Sequence, residues 1–338
     1  MQNVTPQDHT IDSNSPLESL SAYLGDDMAH VNKAILDNMQ ADIDLIPQIA
    51  GYLIASGGKR LRPLLTLAAT RLYDTDTERS FGLAAAVEFI HTATLLHDDV
   101  VDESDERRGK KTANLVFGNQ ASVLVGDFLF SRAFQLMVAD GSLDVLRILS
   151  DASAIISAGE VKQLAFTGNL SSTVDDYIDI AQSKTAALFA AACEIGPVIA
   201  DKDDTQITAL REYGNNLGIA FQIVDDVLDY SAAQEKLGKT VGDDFAEAKM
   251  SLPVILALEN ATADQRAFWE RTMASKDQKD GDLKAAQDIL RETEALKRGM
   301  DMAKSYGKLA IEALAPVPQS ALKTMLLDII DFTISREF

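Results

Sequence analysis

The 338-residue chain carries a formal net charge of −21, which disfavours nucleic-acid phosphates and anionic membrane surfaces as partners. Hydrophobic residues make up 46% of it and aromatics only 6%, so a large core can form, filled mainly by Ala and the aliphatic residues. The single cysteine, Cys193, excludes an intrachain disulfide and suits a reducing compartment.

The N-terminus has neither a basic start nor an apolar run, so no signal peptide is expected. The most apolar window, residues 185–200, is interrupted by Glu194, Gly196 and Pro197 and is too short for a transmembrane segment. A cytoplasmic protein is the expectation. Residues 1–14 are polar and read as a flexible tail, and residues 15–338 as one helical domain.

Ser15-Pro16-Leu17-Glu18 combines an N-cap, a proline at the first helical position and a capping-box glutamate, opening a helix to about residue 40. A second helix is expected over about 42–56. Gly57-Gly58-Lys59-Arg60-Leu61-Arg62-Pro63 reads as a turn and a helix start, whose cations form either a solvated cap or an anion cradle. Residues 78–103 read as one long helix, apolar on most sides and therefore central. A charged loop, 104–112, carries Arg107 and Arg108. Further helices are expected at about 120–140, 143–167, 174–195 and 205–230. After a lysine-bearing loop, 231–249, come 252–259, 263–274, 283–314 and 319–338. No strand pattern stands out, and no proline falls between Pro63 and Pro197, so the fold class expected is all-α.

Two acidic triads give the chemistry. Asp98, Asp99 and Asp102 are bracketed by Leu95, Leu96, Val100 and Val101, and the spacing returns at Asp225, Asp226 and Asp229. On a helix the first and last members of each triad share a face, about 6 Å apart along the axis. Two carboxylates about 5 Å apart repel by roughly 3 kcal/mol at an effective dielectric near 20. They must therefore protonate or share a cation, and an all-oxygen donor set with no Cys/His cluster favours Mg²⁺ over Zn²⁺. Mg²⁺ held by few carboxylates completes its shell with water and substrate phosphates. Lys59, Arg62, Arg107, Arg108, Lys184, Lys239 and Lys249 are available for the remaining phosphate oxygens. The reaction class suggested is metal-assisted departure of a diphosphate.

The segments 57–63, 91–102, 107–109, 184–185, 221–229 and 238–249 resemble, in order, the successive motifs of the trans-isoprenyl diphosphate synthases. His91-Thr-Ala-Thr-Leu-Leu-His97 is similar to the long-chain branch that makes octaprenyl, solanesyl and decaprenyl diphosphates. The resemblance implies a single large helical bundle with a central cavity, working as a homodimer. It implies condensation of an allylic diphosphate with successive isopentenyl diphosphates, using three Mg²⁺ per active site, to give a long all-trans chain for quinone side chains. Asp98, Asp102, Asp225 and Asp229 would serve the metal, with Asp99 and Asp226 orienting its waters or neighbouring cations. Lys59, Arg62, His91 and Arg108 would bind isopentenyl diphosphate. Arg107, Lys184, Lys239 and Lys249 would bind the allylic diphosphate, and Lys184, Thr185 and Gln222 would face the reacting centre. The chain departs from the family pattern at Ala248, where glycine is usual, and at Ser251, where threonine is frequent.

One turn below Asp98, Ala93 and Thr94 leave room where a bulky aromatic would floor the pocket, so a long product is expected. Other readings are a non-catalytic partner subunit of a heteromeric synthase, an HD-type metal phosphohydrolase built on His97-Asp98, and a terpene cyclase. The intact second triad and basic turn weigh against all three.

Overall fold

The computed structural model describes residues 15–55, 58–73, 75, 78–107, 109–231 and 241–335, and over these the chain is the expected all-α bundle. The tail at 1–14, Arg108 and Lys239 lie outside the described residues.

The first helical stretch is two helices, not one. In α1 (Pro16–Tyr23) the Ser15 hydroxyl accepts from the Glu18 N–H while Glu18 accepts from the Ser15 N–H. Leu24 leaves helical geometry at φ −101°, and α2 (Gly25–Asn38) starts afresh with Asp26 and Asp27 at its positive end. Asp27 takes a two-pronged bond from Arg71, 2.7 and 2.6 Å, tying α2 to α4 (Leu61–Arg71); α3 (Leu45–Ala55) lies between them in sequence.

Helix α5 (Glu78–Val101) buries the consecutive run from Leu83 to Val87, so every face is covered and no apolar stripe appears. It packs on α4 and on α7 (Asn119–Asp140). The loop after it contains a minimal hairpin that sequence patterning missed: Glu106 and Arg107 pair with Lys111 and Lys110 around Gly109 at φ +73°. The short α6 (Ala113–Phe117) leads into α7, followed by α8 (Leu143–Phe166).

Helix α9 (Val174–Ala181) runs through a π-helical turn, Gln182–Ala186, into α10 (Ala187–Ile199). Helix α10 continues past the predicted end, carrying Pro197 inside it, so the bond from position 197 to the Cys193 carbonyl is forfeited and the packing around α10 holds the helix. Helix α11 (Asp204–Asp229) packs along α10 and α16 (Ala295–Ala313). Between them come α12 (Asp243–Ala246), α13 (Leu252–Glu259), α14 (Ala263–Trp269), with a second π turn after it, and α15 (Asp282–Glu292). The helix expected over 283–314 is broken where Glu294 turns left-handed, φ +54°. Helix α17 (Ala321–Ile334) closes the described chain.

Two apolar clusters form the core. One joins α2, α4, α5, α7, α8 and α10 around Phe89 and Phe189, and the other gathers around Trp269 and Tyr230. Helix α11 contributes to both. The acidic triads sit at the C-terminal ends of α5 and α11.

Candidate active site

Two lysines stand between the acidic helix ends. Lys184, on the π turn, lies 4.0 Å from Asp98 and 2.8 Å from both Glu160 and Gln163 of α8. The next residue, Thr185, donates to the Gln222 side-chain oxygen at 2.6 Å, and Gln222 donates to Asp226 at 2.7 Å. A line of contacts therefore runs from the first triad to the second. Lys249 makes the other crossing: its ammonium donates to Asp102 at 2.9 Å, also contacts Glu247, and feels the charge of Asp244 beside the second triad. Lys184, Thr185, Gln222, Asp226, Asp244 and Lys249 line a cavity of about 110 Å³ together with Tyr177 and Ser251.

The π turn is what brings Lys184 and Thr185 to adjacent points on this wall. The Ala187 N–H donates to the Gln182 carbonyl five residues back, which widens the turn. Glycines on both sides admit it. A Cβ on Gly159 would meet Ser183 at 2.7 Å, and one on Gly218 would meet the Ala186 Cα at 2.6 Å. With side chains at 159 and 218, α8 and α11 would stand off and the Lys184–Glu160 pair would open.

Burial strains the carboxylates electrostatically. Asp98 is pushed up to about 7, first by burial and then by Glu160 and Asp102, with Lys184 pulling the other way. Asp226 is likewise pushed up to about 7 by burial, against hydrogen bonds from Tyr177 and Gln222. Asp229 is pushed up to about 6, again chiefly by burial. Asp244 lies well above the carboxylate range for the same reason, with Asp226 and Asp229 adding to it. Burial alone would lower Lys249, but Asp244, Asp102 and Glu247 hold it above its ordinary value.

The individual side chains divide by partner. Asp99 is fully buried; its Oδ1 takes the Arg107 guanidinium at 2.7 Å, and its Oδ2 has no hydrogen-bond partner among the described residues. Asp229 accepts from the backbone N–H groups of Gly242, Asp243 and Asp244 at 3.2, 3.3 and 3.1 Å, anchoring the start of α12. Asp225 is exposed. His97 faces away from the cleft, 3.2 Å from the Val123 carbonyl on α7 and 3.4 Å from Asp127. In the basic turn, Arg62 lies 3.2 Å from His91 and 4.4 Å over the Phe189 ring, while Lys59 lies 5.2 Å over Phe332 of α17. Ala93 is fully buried and Thr94 half-buried, its hydroxyl bonded back to the His91 carbonyl at 2.8 Å.

Residues 43–290 match the polyprenyl synthetase family. The chain belongs to that family. It is 41% identical to octaprenyl diphosphate synthase of Escherichia coli (strain K12), over 95% of this chain and 99% of that one. Among solved structures, a decaprenyl diphosphate synthase from Rhodobacter capsulatus superimposes with a TM-score of 0.92 at 48% identity, covering 95% of this chain and 99% of that one. A polyprenyl synthase from Caulobacter crescentus CB15, complexed with calcium and isoprenyl diphosphate, gives 0.91 at 49% identity, with 95% and 98% covered. This polyprenyl synthase is therefore a prenyltransferase of isoprenoid biosynthesis, as its motifs imply.

Glu160, Gln163, Glu247, Asp244 and Tyr177 are site neighbours that the sequence reading passed over. Glu160 and Gln163 look like ordinary polar positions of a helix, and only the fold brings them to Lys184, 24 and 21 residues away. Asp244 had a signal, since Gly242-Asp243-Asp244 follows the second triad at loop distance. The role of Ala248 is now physical: its φ is +57°, a left-handed conformation in which glycine carries no Cβ penalty.

Proposed function

We propose that this synthase extends an allylic diphosphate such as farnesyl diphosphate with isopentenyl diphosphate to a long all-trans chain, in the cleft between the ends of α5 and α11. The observation that carries the reading is the double crossing: Lys184 joins Asp98 to the wall of the second triad, and Lys249 joins Asp102 to Asp244. Relatives named for octaprenyl and decaprenyl products support the long chain.

Magnesium fits the residues present. Three carboxylates are pushed up to between about 6 and about 7, and one oxygen of Asp99 has no hydrogen-bond partner among the described residues. Among the described residues no three Asp, Glu, His or Cys side chains converge closely enough to hold an ion alone, which suits a metal that shares substrate phosphates. Asp98, Asp102 and Asp225 would hold it directly and Asp229 through water, with three ions per site as the stoichiometry. The metal supplies charge neutralisation for the departing diphosphate.

The chain's own residues do the rest. Arg107, Lys184, Lys239 and Lys249 bind the allylic diphosphate, so the C–O bond breaks with its electron pair leaving on the diphosphate. Thr185 and Gln222 turn oxygen dipoles to the allylic cation. Lys59, Arg62, His91 and Arg108 hold isopentenyl diphosphate with its double bond facing that cation. The π electrons form the new C–C bond, and the departed diphosphate takes a proton from the adjacent carbon, which restores a double bond.

A homodimer belongs to the same proposal. Helix α7 is long and apolar enough by length and composition to cross a membrane, yet only 33% of its most apolar window is buried. It carries Asp127 and Arg132, and Leu124 and Val138 on it are exposed, as are Val161 and Leu164 on α8. A second copy would cover that surface. A cytoplasmic location follows from substrates whose charged diphosphates do not cross a bilayer unaided.

Incubation with farnesyl diphosphate, labelled isopentenyl diphosphate and Mg²⁺, followed by product sizing, tests the reading. Chains of many isoprene units support it. Phosphate release without extension would mark a hydrolase, and silence a partner subunit.

A further inference from the structure

The basic turn holds a residue that its proposed ligand role leaves unused. Arg60 lies between Lys59 and Arg62 and adopts φ +49°, ψ +32° at the N-cap of α4, with no capping bond from its side chain. That left-handed conformation is natural for glycine and costly for arginine. A glycine would satisfy the backbone better, so the arginine side chain must repay the conformation. Its guanidinium donates to Glu88 Oε1 at 2.9 Å, and the two side chains are only 17% and 12% exposed. Glu88 and His91 are three residues apart and so share a face of α5. Helix α5 thus grips the turn twice, at Arg60 through Glu88 and at Arg62 through His91.

We infer that the Arg60–Glu88 ion pair is a latch that sets the backbone of the basic turn, making both residues positioning residues for isopentenyl diphosphate. The inference rests on the proposed reading that Lys59, Arg62 and His91 bind that substrate. A buried pair adds little net stability, but neutralising Glu88 strands the charge of Arg60. With Glu88 neutralised, Arg60 seeks water, its backbone relaxes toward right-handed geometry, and the flanking Lys59 and Arg62 move together. The allylic diphosphate, assigned to other side chains, is not affected.

The test is steady-state kinetics of Glu88→Gln, Arg60→Gln, Arg60→Gly and the Glu88→Gln/Arg60→Gln double variant, with Lys59→Ala and Arg62→Ala alongside. Glu88→Gln and Arg60→Gln should raise KM for isopentenyl diphosphate about tenfold, as for directly coupled residues. Their KM for the allylic substrate should stay near wild type. The double variant should be no worse than the worse single, because one interaction is lost in each. Arg60→Gly takes the left-handed angle without the latch, so its KM for isopentenyl diphosphate should rise less than that of Arg60→Gln; an equal rise would overturn the backbone route. Partial unfolding would lower apparent kcat and leave KM alone. If Lys59→Ala and Arg62→Ala raise the isopentenyl KM but Glu88→Gln does not, the latch is wrong. Equal rises in both KM values would also overturn it. If Lys59→Ala and Arg62→Ala leave that KM unchanged, the underlying assignment of the turn fails.

Discussion

Ala248 stands at a backbone angle that glycine adopts more easily. Its left-handed φ of +57° costs about 1–2 kcal/mol for an alanine. Its methyl is fully buried, however, and contributes about 1 kcal/mol by burial. Glycine would also lose about 0.5–1 kcal/mol in chain entropy. Ala248→Gly should therefore leave stability within about 1 kcal/mol of wild type by denaturant titration, and a large gain would mean the strain is poorly offset here. Thr94 invites a second substitution. Ala93 is packed without exposed surface, so a phenylalanine there would overfill the core. Thr94 is half-buried on the same turn, and Thr94→Phe should shorten the product to a few isoprene units while the first condensation persists. Chromatographic sizing decides it: an unchanged distribution would remove this turn from the wall of the growing chain.

At the scale of elements, helices were legible wherever apolar and polar residues recur with helical spacing, while the ends at Leu24, Glu294 and Pro197 were not. The break at Leu24 had a local signal in the following Gly25. The break at Glu294 had none, because the left-handed turn there is made by a glutamate. The acidic ends of α5 and α11 could be read because carboxylates bracketed by Leu and Val are costly unless partnered. The π turn carrying Lys184 could not, since its spacing differs from an α-helix by one residue and the glycines that leave room for it, Gly159 and Gly218, lie on neighbouring helices. The outward face of α7 is the element-scale test of assembly. Leu124 and Val138 are 67% and 65% exposed, and fully burying such side chains is worth about 1.5–3 kcal/mol each. Leu124→Glu should convert a dimer to monomers in sedimentation without changing helical content. A wild-type monomer at micromolar concentration would refute the assembly.

Across the whole molecule, the acidic cleft makes stability a function of pH and metal together. Unfolded, Asp98, Asp226 and Asp229 titrate near 3.8; folded, they rise to about 7, 7 and 6, with burial the first cause each time. The metal-free fold therefore holds more protons than the unfolded chain between about pH 4 and pH 7. The stability these groups contribute is fully present below about pH 4 and lost as pH rises through 6 to 7. A cation binding the ionised forms reverses that loss, because it stabilises only the folded state, where the carboxylates converge. The rise in melting temperature on adding Mg²⁺ with inorganic diphosphate should thus be small near about pH 5.5 and several degrees larger near about pH 8. Replacing Asp98 with Asn should raise the metal-free melting temperature at the higher pH, since a buried charge is gone, and should reduce the gain from Mg²⁺. A gain that is the same at both pH values would mean that these carboxylates do not exchange protons for metal, and the cleft would need another explanation for its six aspartates.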